Sequence, residues 1–234
     1  MGPTAGAREL GTPVFLLNLK SYLPALGNGA LTIGRRLQHA GRRFGVATAI
    51  APSAASLETL SRALSIPVLA QHVDPFDPGA RTGFLVPASL SATGVAGSLL
   101  NHSERRLPPP QVREAVNMLR ASGLVSVVCA GSLAEATRLA RYCRPEFLAV
   151  EPPELIGGNI SVSVARPEVI QGTVRGVRRV SPRTQVLCGA GVKTGEDVRR
   201  ALELGAKGIL VSSAVAAAQD PARAIAELMH GFKS

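Results

Sequence analysis

Short apolar runs recur along the chain, each followed by a stretch whose apolar residues return with helical spacing. The runs lie at 14–19, 46–51, 67–72, 95–101, 125–130, 147–150, 185–188 and 208–212. They are nearly continuous rather than alternating, the pattern of strands covered on both faces. Helical patterning is predicted over 29–42, 110–122, 133–144, 167–180, 195–204 and 221–229, with a short, weakly patterned element at 87–93. Asp220-Pro221 sets a capping side chain before a proline at the first helical position, and Thr194-Gly195-Glu196-Asp197 loads a first turn with acid. Gly123 and Gly205 follow predicted helices as stop signals, where a left-handed residue ends the turn.

Eight such units share the chain at about 29 residues each, enough for a strand, a helix and two short loops. Eight parallel strands without a long break close most economically into a single-domain (β/α)8 barrel, the TIM-barrel architecture; an open doubly wound sheet is the alternative. No linker or composition shift marks a second domain. The expectation is one barrel domain over residues 1–234, with 1–12 as a flexible N-terminal extension.

Composition agrees with a large core. A chain of 234 residues, 46% hydrophobic and 18% charged, is too apolar for disorder. No stretch approaches the roughly 18 apolar residues of a membrane span, and the first dozen residues carry no apolar signal segment. The cysteines Cys129, Cys143 and Cys188 are odd in number and lack a C-x-x-C, which speaks against a disulfide frame or zinc knuckle and for a reducing, cytoplasmic setting. The formal charge of +10 comes almost wholly from arginine. Pairs such as Arg35-Arg36, Arg105-Arg106 and Arg199-Arg200 fall where helices show their outer faces, so a solvated basic exterior is the plainest reading. With six Phe, two Tyr and no Trp, the chain offers few platforms for stacking on single strands.

In a barrel of this kind the chemistry sits at the carboxyl ends of the strands. The first run ends Leu17-Asn18-Leu19-Lys20, and alternation puts Asn18 and Lys20 on one side. An inward amide and lysine at a strand's mouth suit an anion. The fourth run ends Leu100-Asn101-His102-Ser103-Glu104. A helix starting at His102 would depress its imidazole pKa and favour the neutral form. The sixth runs into Glu151-Pro152-Pro153-Glu154, where a carboxylate between an apolar strand and prolines is partly desolvated and gains base strength. Leu155-Ile156-Gly157-Gly158-Asn159 follows as an apolar tip suited to a lid. The last two runs end in Gly189-Ala190-Gly191 and Ser212-Ser213-Ala214, whose small residues and free N–H groups suit a phosphate.

Together these motifs resemble the triosephosphate isomerase family: Asn18-x-Lys20, Asn101-His102-Ser103-Glu104, Val150-Glu151-Pro152-Pro153-Glu154-Leu155-Ile156-Gly157, and Cys188-Gly189-Ala190-Gly191-Val192-x-Thr194-Gly195-Glu196-Asp197-Val198. The Glu-Pro-Pro-Glu-Leu wording and compact length are similar to the archaeal branch, and the match runs in order over about residues 13 to 230. The resemblance implies interconversion of dihydroxyacetone phosphate and D-glyceraldehyde 3-phosphate, with no cofactor and no metal. It implies Glu151 as the base, His102 as a neutral electrophile, Lys20 as positive charge beside the oxyanion and Asn18 as a substrate contact, the family's known division of labour. Ile156, Gly157, Gly191, Ser212 and Ser213 match phosphate-holding positions. It further implies a homo-oligomer, tetramer before dimer, in which the loop after the third strand, from Val73 to Phe84, enters a neighbour. Two departures stand out. The lid reads Ile-Gly-Gly-Asn-Ile where Ile-Gly-Thr-Gly is common, and Ala214 replaces a glycine, a strain if that backbone needs positive φ.

Two rivals keep a place. A metal-dependent sugar-phosphate epimerase would need several strand-end ligands, yet the strand-end histidines are only His72 and His102. A basic nucleic-acid binder would use the charge alone and bind DNA with a steep salt dependence.

Overall fold

The computed structural model describes residues 10–152 and 162–233. Eight parallel strands, β1 (Val14–Asn18), β2 (Ala47–Ala51), β3 (Leu69–Ala70), β4 (Gly97–Leu100), β5 (Val125–Ala130), β6 (Phe147–Val150), β7 (Gln185–Cys188) and β8 (Gly208–Val211), pair in the order β2-β1-β8-β7-β6-β5-β4-β3. The remaining seam, between β2 and β3, is joined by one parallel bridge from Ile50 to Val68. The ring therefore nearly closes, and the open-sheet alternative falls.

Outside the ring run α1 (Asn28–Phe44), α2 (Leu57–Ala63), α3 (Pro87–Ala92), α4 (Pro109–Ala121), α5 (Leu133–Cys143), α6 (Val162–Ala165), α7 (Pro167–Val180), α8 (Gly195–Glu203), α9 (Ser213–Ala216) and α10 (Pro221–His230). The start and stop signals act as read. Thr194 and Asp197 form a reciprocal capping box on α8, and Asp220 accepts from the N–H groups of Ala222 and Arg223 ahead of α10. Gly123 and Gly205 take left-handed φ of 69° and 97°. The sequence pattern did not register α2 or α9, nor the four-residue α6. The first is seven residues long and buries only Leu57, Leu60 and Ser61; the second is a single turn.

Strand alternation sorts the core into two layers. Val14, Leu16, Ala49, Leu69, Leu99, Val127, Cys129, Ala149 and Leu187 fill the barrel's interior. Their neighbours Phe15, Leu17, Leu19, Ile50, Leu100, Val128, Leu148, Val150 and Val211 face outward into the helices. Both layers are apolar, hence the continuous runs. Leu10 also joins the inner cluster, and the part of the expected extension before it lies outside the described residues.

Candidate active site

The interior layer turns polar at the carboxyl ends of the strands. Asn18 follows Leu16 on the inward side of β1 and is 3% exposed, while Leu17 and Leu19 lie in the outer layer. Two residues on, Lys20 adopts a left-handed φ of 48°, and its N–H donates to Asn18 Oδ1 at 3.0 Å. Its Nζ pairs with Glu104 Oε1 at 2.8 Å, with the lysine side chain largely buried and the glutamate open to solvent.

His102 is buried, but no helix begins there; α4 starts seven residues later, at Pro109. The expected helix-end field is therefore replaced by other causes. Asn101, left-handed at φ 60°, braces the loop by donating to Cys129 O at 2.9 Å and accepting from the Leu107 N–H at 3.0 Å. The Glu104 N–H donates to His102 Nδ1 at 3.2 Å, which leaves the imidazole proton on Nε2. Burial, with the charge of Lys20, lowers the His102 pKa. The neutral ring is favoured, with its N–H turned inward.

That Nε2 lies 3.8 Å from Glu151 Oε1. Glu151 continues β6 by one residue, its N–H donating to Ala130 O at 2.8 Å, and its side chain is 5% exposed. Burial pushes the carboxyl up to about 7, against the pull of the Cys129 thiol and of Lys20. Gly189 makes this placement possible: a Cβ there would stand 2.4 Å from Glu151 Cγ. Its smallness serves the glutamate, whereas the sequence suggested room for a ligand.

A cavity of about 260 Å³ gathers Asn18, Lys20, His102, Glu151, Gly191, Ser212 and Ser213. Two buried oxygens, Glu151 Oε2 and Ser212 Oγ, have no partner among the described residues. Gly191 needs its glycine, with φ at 71°. Ala214 is helical within α9, so the feared positive-φ strain does not arise. Ile156 and Gly157, with the rest of the expected lid beyond Pro152, lie outside the described residues. Tyr22, Glu104, Val192 and Lys193 also line the cavity and were not singled out from sequence. For Glu104 a signal existed: it closes the Asn101-His102-Ser103-Glu104 motif.

A larger groove of about 790 Å³ between α5 and α7 holds none of this chemistry. Among the described residues, no three His, Cys, Asp or Glu side chains cluster as metal ligands, and no helix is long and apolar enough to cross a membrane.

Comparison with known proteins gives the family. The sequence profile of triosephosphate isomerase matches residues 13–229. The triosephosphate isomerase of Cenarchaeum symbiosum is 45% identical over 93% of this chain and 96% of its own length. That of Methanothermus fervidus is 41% identical over 93% of this chain and 97% of its own. The crystal structure of the Bartonella henselae triosephosphate isomerase superposes with a TM-score of 0.77 at 20% identity, covering 95% of this chain and 99% of that one, a likeness of fold. With a buried carboxylate facing a neutral imidazole across a polar cavity, and a profile match spanning nearly the whole barrel, the chain belongs to the triosephosphate isomerase family.

Proposed function

We propose that Glu151 and His102 carry the proton transfers by which this isomerase interconverts dihydroxyacetone phosphate and D-glyceraldehyde 3-phosphate, a step of glycolysis and gluconeogenesis. The observation that carries the reading is the 3.8 Å approach of His102 Nε2 to Glu151 Oε1 at the cavity wall. Glu151 takes a proton from one carbon of the triose and returns it to the neighbouring carbon, and its raised pKa gives it the strength of a useful base. His102 donates from Nε2 to the substrate oxygen on which charge develops, so the electron pair released from the C–H bond settles as an enediolate, and the same imidazole passes the hydroxyl proton from one oxygen to the other. Lys20 adds positive charge beside that oxygen and Asn18 contacts the substrate. Gly191, Ser212 and Ser213, with Ile156 and Gly157, hold the phosphate. Water exclusion by the 152–159 segment protects the enediolate.

The test is a coupled assay of glyceraldehyde 3-phosphate isomerisation by the wild-type protein and Glu151→Asp. Retracting the base by about 1 Å should cost on the order of 10²-fold in kcat. A variant as fast as wild type would overturn the assignment.

We further propose one barrel domain and a cytoplasmic homo-oligomer, a tetramer before a dimer. The loop after β3 supports the assembly. It is held at its base by Asp74, which accepts from the Leu85 N–H at 2.8 Å and bonds His72 at 3.0 Å. It presents Phe76 and Phe84 edge to face, 37% and 49% exposed. Light scattering at micromolar concentration should give the mass of four chains; a monomer would overturn this.

A further inference from the structure

We propose that Gln71 is a positioning residue for the isomerisation, holding Lys20 in the backbone conformation that brings its ammonium to the active-site cavity. The inference rests on the role given to Lys20 above. Lys20 sits at a φ of 48°, a region that side chains other than glycine's disfavour, so its neighbours must hold it there. Asn18 Oδ1 fixes its N–H at 3.0 Å. The opposite side of the residue is fixed by Gln71, whose Nε2 donates to Lys20 O at 2.9 Å and to Ala51 O at 3.0 Å. Both hydrogens of one amide are thus used, one on the turn that carries Lys20 and one on the last residue of β2.

The location adds to the case. Gln71 directly follows β3, and the seam from β3 to β2 has a single bridge between Ile50 and Val68. The Gln71 amide bonds across that seam at the carboxyl end of the ring, where the chemistry is. The same Ala51 carbonyl accepts from the Leu19 N–H at 2.9 Å, so the residue before Lys20 shares the anchor. Gln71 is not among the residues lining the cavity, so it acts through Lys20 and not on the substrate.

The experiment is a double-mutant cycle on the full-length protein in its native assembly, with Gln71→Met, Lys20→Met and the pair. Gln71→Met keeps the side-chain length and removes both donors. It should lower kcat/KM by about tenfold with the oligomeric mass unchanged, since small misplacements of a reacting group are costly. In the Lys20→Met background the same change should cost less than about twofold, because what it positions is gone. The acid limb of kcat/KM should also move upward. Glu151 is faced by His102 at 3.8 Å and by Cys129, Cys188, Lys20 and Glu104, and only the lysine's contribution weakens. Gln71→Asn, whose amide is retracted by one methylene, serves the same purpose if Gln71→Met fails to fold. Equal losses in both backgrounds, an unmoved acid limb, or no loss at all would overturn the proposal. A Lys20→Met protein with wild-type activity would instead overturn the reading of Lys20 itself.

Discussion

At the amino end of the barrel, Ser126 donates from its N–H and its Oγ to Glu146 Oε2 at 3.0 and 2.5 Å. Beside it, the Thr184 hydroxyl donates to Pro145 O at 2.6 Å and bonds Ser181 at 2.8 Å. Every buried side chain named there has closed on a neighbour. At the carboxyl end, Glu151 Oε2 and Ser212 Oγ are as deeply buried but have no partner among the described residues, and Glu151 stands 3.8 Å from His102, beyond hydrogen-bond reach. An unsatisfied buried polar group costs roughly 1–3 kcal/mol. One end of the ring is arranged for stability; the other forgoes some stability to keep its groups available for a substrate.

Variants at the two ends should therefore fail in opposite ways. The largest effect is expected from Glu151→Gln, with kcat falling by about 10²–10⁴-fold as the base is lost. Stability should move the other way. Burial raises the Glu151 pKa above its ordinary value, so its contribution is full below the unfolded pKa and is lost as the pH rises through about 7. Urea denaturation at pH 8 should show the Gln variant more stable than wild type, with the gain fading by pH 5. Next comes Gly189→Ala, whose methyl would meet Glu151 Cγ at 2.4 Å. A displaced base should cut kcat by about 10²-fold in the coupled assay. At the amino end, Ser126→Ala leaves Glu146 without its hydroxyl donor and should lower unfolding stability by about 2 kcal/mol while kcat stays within about twofold. The smallest effect is expected from Ser212→Ala. KM should rise by about tenfold while stability rises by about 1 kcal/mol, because the deleted hydroxyl is buried without a partner among the described residues. Ser126→Ala losing activity, or Ser212→Ala losing only stability, would break the contrast between the ends.

The barrel was legible because its strands are apolar on both faces and because α8 and α10 are announced by their caps, Thr194 and Asp220. The inward placement of Asn18 follows from strand alternation, and the burial of Glu151 follows from its position after Phe147-Leu148-Ala149-Val150. What the sequence withheld depends on contacts distant along the chain. Glu104 sets the His102 tautomer through its backbone, which requires the left-handed turn at Asn101. Gly189 is small because of a side chain 38 residues earlier, at Glu151. The β2–β3 seam rests on a bridge between Ile50 and Val68 that no local pattern announces. Helices as short as α2 and α9 have too few turns for periodicity to register.

The central claim is that burial turns Glu151 into a base matched to neutral pH. Its most direct test is the pH dependence of kcat/KM for the wild-type protein, which reports the free enzyme. The substrate's phosphate, with a second ionisation near 6, contributes a separate limb common to every variant. Beyond that limb, kcat/KM should fall with unit slope as the pH drops below about 7. A profile that follows the substrate's ionisation alone, with Glu151 titrating in the ordinary carboxylate range, would contradict the account.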